Sequence, residues 1–200
     1  MPPLMRITDI DVNAMAFGQP TTGFMGGQFV GIRGPIVFQT PRMNSGWTYV
    51  WVPHGAPESA GKKYWYMSIT DPTFDDFITR IENRVLQEAF LESESWFGGS
   101  FEPDVIRSWF TGSLFGEEPK SMRFLAQSRV DFFDAQNSIL TFEDLPRSGQ
   151  HPVAAIVTLE GIWFRNRAFG LAYKLNQVKY YPETTRHIQE SAFLDDDDES

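Results

Sequence analysis

Two long extended segments, Val153–Phe164 and Ala168–Tyr181, meet across only Arg165-Asn166-Arg167, and no other feature restricts the fold of this chain as much. Both are rich in β-branched and aromatic residues bounded by turn formers, the pattern of an antiparallel hairpin. Successive strand side chains point to opposite faces. Phe169, Leu171, Tyr173 and Leu175 therefore make an apolar face. Lys174 and Asn176 lie opposite, where Ala168, Gly170 and Ala172 leave room for a ligand.

Upstream the chain divides by pattern. Residues 1–34 read as an irregular segment punctuated by Gly18, Gly23, Gly26, Gly27, Gly31 and Gly34, with Phe17, Phe24 and Phe29 between them. No Gly-Lys-Ser/Thr follows, so this is not a P-loop. Strands are expected at Pro35–Gln39, Trp47–Val52 and Tyr64–Ile69, the last two joined by the Pro/Gly/Ser-rich linker Pro53–Gly61. Phe74, Phe77, Ile78, Ile81, Val85, Ala89 and Phe90 follow helical spacing, with Pro72 near the start and Gly98-Gly99 beyond the end. A second short helix is expected from Pro103 to Phe110. Strands return at Met122–Phe133, broken near Ala126, and at Asn137–Phe142, before the turn Pro146–Gly149 and the long hairpin. Strands, then helix, then strands with closely spaced turns point to a small barrel rather than a parallel sheet.

Bulk properties narrow the function. Two hundred residues, 42% hydrophobic and 15% aromatic, suit one globular domain with a real core. The absence of cysteine removes disulfides, thiolate catalysis and Cys-based zinc sites, and fits an intracellular protein. The start, Met1 to Asn13, has no signal-peptide pattern, and no apolar run approaches the roughly 18 residues of a membrane span. The expectation is a soluble protein without membrane contact.

Charge is distributed unevenly. The formal net charge is -9, of which five negatives are the terminal run Asp195, Asp196, Asp197, Asp198 and Glu199. From Lys120 to Tyr181 there are eight Lys/Arg against five Asp/Glu, together with ten aromatic residues. From Asp71 to Glu118 eleven acids face three Arg, a poor surface for phosphate. A terminal acidic block cannot fold on itself. Tethered to a basic, aromatic region, it reads as either a solvated end or a competitor for that region's anionic ligand.

Catalytic patterns are weak. His54, His151 and His187 lie far apart without ligand spacing. Asp75-Asp76 near a helix start is explained by the helix dipole, and Glu143-Asp144 beside a turn reads the same way. No nucleophile elbow is present. No catalytic residue, metal or cofactor is expected.

Stacking on nucleic acid is better supported. Trp47, Tyr49 and Trp51 share one strand face, and Tyr64 and Tyr66 share a face of the partner strand. A core prefers the opposite sets, Thr48-Val50-Val52 and Trp65-Met67-Ile69. Five aromatics would then stand outside, beside Arg42, Lys62 and Lys63, with Arg165 and Arg167 exposed at the hairpin tip. The alternative, with Trp47, Tyr49 and Trp51 in the core, stays open, because pattern alone does not set the inside.

Ala155–Phe164, containing Gly161-Ile162-Trp163-Phe164, and then Phe169–Lys179 resemble the C-terminal signature of a viral single-stranded-DNA-binding family of nucleocytoplasmic large DNA viruses, related to the replication protein of short-tailed bacteriophages. Thr40-Pro41-Arg42-Met43 is similar to that family's turn after the first strand, and the helical insertion and acidic tail complete the likeness.

The resemblance implies a mainly β, five-stranded oligonucleotide/oligosaccharide-binding (OB) barrel at residues 35–182. A helical insertion at 72–112 would lie between strands 3 and 4, with a disordered acidic tail at 183–200. It implies a non-enzymatic protein coating single-stranded DNA during replication, recombination and repair at intracellular viral replication sites. The tail would cover the DNA groove and contact replication proteins such as a polymerase or helicase, or a second copy of the chain in a homodimer. Two other readings stand beside it: a scaffold module with an acidic docking tail, and an RNA-binding OB protein, since stacking does not separate RNA from DNA.

Overall fold

The computed structural model describes residues 3–22, 27–51, 62–126, 130–141, 144–145 and 151–181; the side chains of 45–51, 62–64 and 125–126 are not among those described. The linker Pro53–Gly61, the turn Pro146–Gly149 and the tail 183–200 fall outside these residues.

Among the described residues, twelve strands form one mixed sheet. They are β1 (Leu4–Arg6), β2 (Phe17–Thr22), β3 (Gln28–Gln39), β4 (Met43–Trp51), β5 (Lys62–Ser68), β6 (Phe110–Thr111), β7 (Leu114–Phe115), β8 (Ser121–Ala126), β9 (Asp131–Phe133), β10 (Ile139–Leu140), β11 (His151–Arg165) and β12 (Ala168–Tyr180). The main path runs β1-β3-β11-β4-β5-β8-β12-β9-β10, and β11 also pairs with β12. Helices α1 (Pro72–Leu91), α2 (Ser93–Phe97) and α3 (Pro103–Trp109) lie between β5 and β6, within the insertion read from the sequence.

The expected closed five-stranded barrel is not seen, because the sheet is not closed. Where β8 and β12 meet, the described residues pair Lys174 with Leu125 in parallel, and β9 then runs alongside β12 from Gln177 to Lys179.

The segment 1–34 is not irregular. Strands β1, β2 and the first half of β3 occupy it, and the expected boundary after Gly34 falls inside β3. Ile7, Ile10, Val12, Met15, Phe17 and Val30 are buried. Two of the glycines serve close crossings: a Cβ on Gly18 would stand 3.3 Å from the Gly31 carbonyl oxygen, and one on Gly27 2.9 Å from the Phe164 carbonyl oxygen. The expected strand Asn137–Phe142 is reduced to Ile139–Leu140. There Asn137 has a φ of 67°, and Asp134 Oδ1 accepts from the amides of Gln136 and Ser138, a side-chain-capped turn in place of a ladder.

The β11–β12 hairpin turns on Asn166 and Arg167, both with positive φ, as a two-residue primed turn requires. Val153, Ala155, Val157 and Leu159 are buried, and then the parity switches to Ile162 and Phe164. The switch is a bulge between Leu159 and Gly161. Only glycine fits there, because a Cβ on Gly161 would run into the Val30 carbonyl and the Phe29 ring.

Helix α1 begins at Asp71, whose side chain accepts from the Phe74 amide at 2.9 Å, with Pro72 in the first turn. Its buried side, Phe74, Phe77, Ile78, Ile81, Val85 and Ala89, packs on the core, and Phe77 meets Phe38 of β3 edge-on at 5.2 Å. Asp75 pairs with Lys120 at 2.7 Å and Asp76 with Arg80 at 2.9 Å, so both acids have structural partners. Aromatic rings of α2 and α3 close the far end of the core, where Phe97 packs against Phe164 and Phe169, themselves stacked at 5.7 Å.

Candidate nucleic-acid interface

Strand β5 buries Trp65 and Met67 and leaves Tyr66 half-buried on the other side. Strand β8 buries Met122 and Phe124 and exposes Arg123. The two strands are antiparallel, with Trp65 opposite Phe124 and Tyr66 opposite Arg123. Directly opposed residues share a face. Tyr66 and Arg123 are therefore neighbours on the outer face, backed by a core of Trp65, Met67, Met122 and Phe124.

The face continues on both sides. Phe115 of β7 meets Tyr66 edge-on at 6.0 Å, and its ring is 45% exposed. Toward β12, Lys174 pairs with Leu125, two residues from Arg123, and points away from buried Tyr173 and Leu175. Thr158 lies opposite Lys174 on β11, and the Asn176 amide donates to Thr158 Oγ1 at 2.7 Å. Rings, two cations and an amide–hydroxyl pair thus follow one another across β7, β5, β8, β12 and β11.

The bend between β3 and β4 explains the Thr-Pro-Arg-Met segment. Thr40 is buried; its amide donates to the Ala155 carbonyl, and its Oγ1 accepts from the Ala155 amide. Pro41 cannot extend the ladder. Arg42 consequently emerges at an exposed corner, where its guanidinium carbon stands 3.6 Å from the Tyr181 ring centroid.

Of the sequence-derived candidates, Tyr66 and Lys174 come together on the outer face. Trp47, Tyr49, Trp51, Lys62, Lys63 and Tyr64 have side chains outside those described; their backbones pair Tyr49 with Tyr64, Val50 with Lys63 and Trp51 with Lys62. Arg165 and Arg167 are exposed at the hairpin tip, with the Arg167 guanidinium 5.9 Å from the Trp109 ring. Arg167 is about 20 Å from Lys174 along β12, at roughly 3.3 Å per residue. Arg42, Lys174 and the tip arginines do not converge; they are strung along the hairpin. The acids of the tail, Asp195–Glu199, lie outside the described residues.

One expectation is corrected. Gly170 leaves no room for a ligand, since a Cβ there would stand 2.8 Å from the Thr111 carbonyl oxygen and 2.9 Å from the Trp163 indole. Pairing of β6 with β12 brings Thr111 onto that position.

Sequence reading missed Arg123, Phe115, Lys179 and Tyr181. The alternation that singled out Tyr66 would also have found Arg123, between two buried apolar residues. Nothing in the sequence links Tyr181 to Arg42. Electrostatically, Lys120 is engaged elsewhere: its hydrogen bond to Asp75 raises its pKa. Among the described residues, no group of three or more His, Cys, Asp or Glu could hold a metal. No described helix is long and apolar enough to cross a membrane.

Residues 62–195 match a family of unknown function, DUF5871. The chain belongs to that family. The DUF5871 match begins at β5 and so includes Tyr66, Phe115, Arg123 and Lys174, while β1 to β4 precede it. Comparison with curated proteins finds no match. In structure this DUF5871 chain is similar to the single-stranded DNA-binding protein of bacteriophage Enc34, in complex with ssDNA, at 11% identity and a TM-score of 0.47, over 81% of this chain and 93% of that one. It is also similar to gp2.5, a single-stranded DNA-binding protein encoded by bacteriophage T7, at 15% identity and a TM-score of 0.47, over 82% of this chain and 92% of that one.

Proposed function

We propose that this DUF5871 protein is a non-enzymatic coat for single-stranded DNA, binding without sequence specificity in viral replication, recombination and repair inside the infected cell. The observation that carries the reading is the cross-strand pair of Tyr66 and Arg123, with Lys174 beside it, on the outer face of the sheet. Bases of any sequence stack on an aromatic ring at about 1–3 kcal/mol each, while cations follow the phosphates. Strand β12, with thirteen residues, offers a track of about 40 Å. Cations spaced along such a track suit an extended strand better than a compact ligand.

In this reading β3 with β4, then β5, β8, β11 and β12 correspond to the five strands of an OB barrel, which puts the helices between the second and third strands and not, as expected from the sequence, between the third and fourth. The pairings β11–β4, β4–β5, β5–β8, β8–β12 and β11–β12 support that correspondence. The acidic tail, continuing from the end of β12, competes for the same cations and offers a docking segment to replication proteins or a second copy of the chain.

Fluorescence anisotropy with labelled oligo-dT, oligo-U and duplex DNA in rising salt tests the reading. Expected are tighter binding to oligo-dT than to duplex, and a linear fall of log K with log salt. Preference for oligo-U would replace DNA by RNA as the ligand. Binding to none of the three would leave the scaffold reading.

A further inference from the structure

A cavity lies at the other end of the hairpin, away from its tip. Its volume is about 210 Å³, and it is lined by Gln39, Phe133, Asn137, Ala154, Ile156, Gln177, Lys179 and Tyr181, among others. That is smaller than the roughly 300–1,000 Å³ of sites for drug-sized ligands, and suits one ring system. We propose that this cavity takes a single nucleobase, stacked against Tyr181, with the attached phosphate at Arg42 and Lys179.

The floor is apolar and low, because Ile156 and the small Ala154 face it from β11. The rim carries three side-chain amides, Gln39, Asn137 and Gln177, each offering both a donor and an acceptor. Such groups match the mixed donor–acceptor edge of a base. Tyr181 is pinned by its amide, which donates to the Pro152 carbonyl at 2.9 Å, and is covered by the Arg42 guanidinium. Lys179 Nζ donates to Asn137 Oδ1 at 2.6 Å and stands 5.7 Å from the Tyr181 centroid. Asn137 is in turn held by the Asp134-capped turn, its amide donating to the Asp134 carbonyl. Ring, cations and amides are thus placed before any ligand arrives.

The base has two sources, a free nucleoside monophosphate or a nucleotide of a bound strand. The second rests on the single-strand reading; the first does not. Titrations of the four nucleoside 5′-monophosphates by calorimetry, and of the four homopolymer oligonucleotides by anisotropy, separate them. The full chain is compared with Gln177→Leu, which removes a rim amide, and with Asn137→Gly, which preserves the positive φ and removes the partner of Lys179. Saturable monophosphate binding, weakened at least tenfold in both variants, supports the site with a free nucleotide. Absence of that binding, together with a base preference among homopolymers that both variants abolish, supports the site filled from the strand. Neither effect, with oligo-dT bound normally, overturns the pocket and leaves the coating function intact. Monophosphate binding without any oligonucleotide binding retains the pocket and overturns the coating function.

Discussion

The guanidinium carbon of Arg42 stands 3.6 Å from the ring centroid of Tyr181, joining the β3–β4 bend to the residue that follows β12. An exposed cation–π contact is worth about 0.5–1 kcal/mol. Arg42→Ala is expected to lose that much stability in chemical melts. If Arg42 also meets a phosphate, the substitution flattens the plot of log K against log salt by about 0.7 for single-stranded DNA. Arg42→Lys restores that slope. An unchanged slope in Arg42→Ala removes this residue from the phosphate track.

Tyr66 and Trp65 are adjacent and face opposite ways, so they separate binding from stability. Tyr66→Ala is expected to weaken oligo-dT binding by about 1–3 kcal/mol with little change in melting. Trp65, 1% exposed, is core. Trp65→Ala is expected to cost about 3–5 kcal/mol of stability. Melts run beside anisotropy curves check both, and a large loss of stability in Tyr66→Ala would argue against an exposed stacking ring.

Gly161→Ala tests the bulge that reverses the parity of β11. Its Cβ has nowhere to go against the Val30 carbonyl. A loss of about 1–3 kcal/mol or more is expected in denaturant unfolding, the cost of overpacking a well-packed interior. A neutral result would mean that β3 and β11 separate easily at this crossing.

Tyr173 makes stability sensitive to alkali. Burial, reinforced by the charge of Glu82, pushes its phenol above the ordinary value of 10.0. In the unfolded chain the phenol ionises near pH 10 while the folded protein keeps it neutral. Its contribution is therefore fully present below about pH 10 and is lost as pH rises above it. Unfolding free energy measured from pH 8 to 11 should fall, and Tyr173→Phe should make that fall shallower. Identical alkaline limbs in the two proteins would contradict the assignment.

Deleting Phe193 to Ser200 removes five side-chain carboxylates from a chain whose segment Lys120–Tyr181 has a net charge of only +3. Tethering raises their effective concentration at that region. The truncated protein should bind oligo-dT more tightly at low salt, with the difference shrinking as salt screens both competitors. Equal affinities at low salt would make the tail a solvated end.

Much of the fold was legible before any coordinates. Extended runs bounded by turn formers placed β5, β8, β11 and β12, and helical spacing with Pro72 placed α1. The division of Trp65, Met67 and Ile69 from Tyr66 was also readable, because an uninterrupted strand alternates by geometry alone. The N-terminal strands were not. Glycine reads as a breaker within a short window, and only the approach of Gly18 to Gly31, or of Gly161 to Val30, reveals that the missing side chain is a packing requirement.

The sequence by itself determined the local elements, the apolar faces and the uneven charge, since each depends on neighbours a few residues apart. Only the tertiary structure decided which faces adjoin. Tyr66 meets Arg123 across a ladder formed after a helical insertion, and Arg42 meets Tyr181 although most of the chain lies between them. The open sheet was decided there too. Such contacts depend on strand register and on bulges that shift it by one residue. Register is a property of two segments packed together, and neither segment carries it alone.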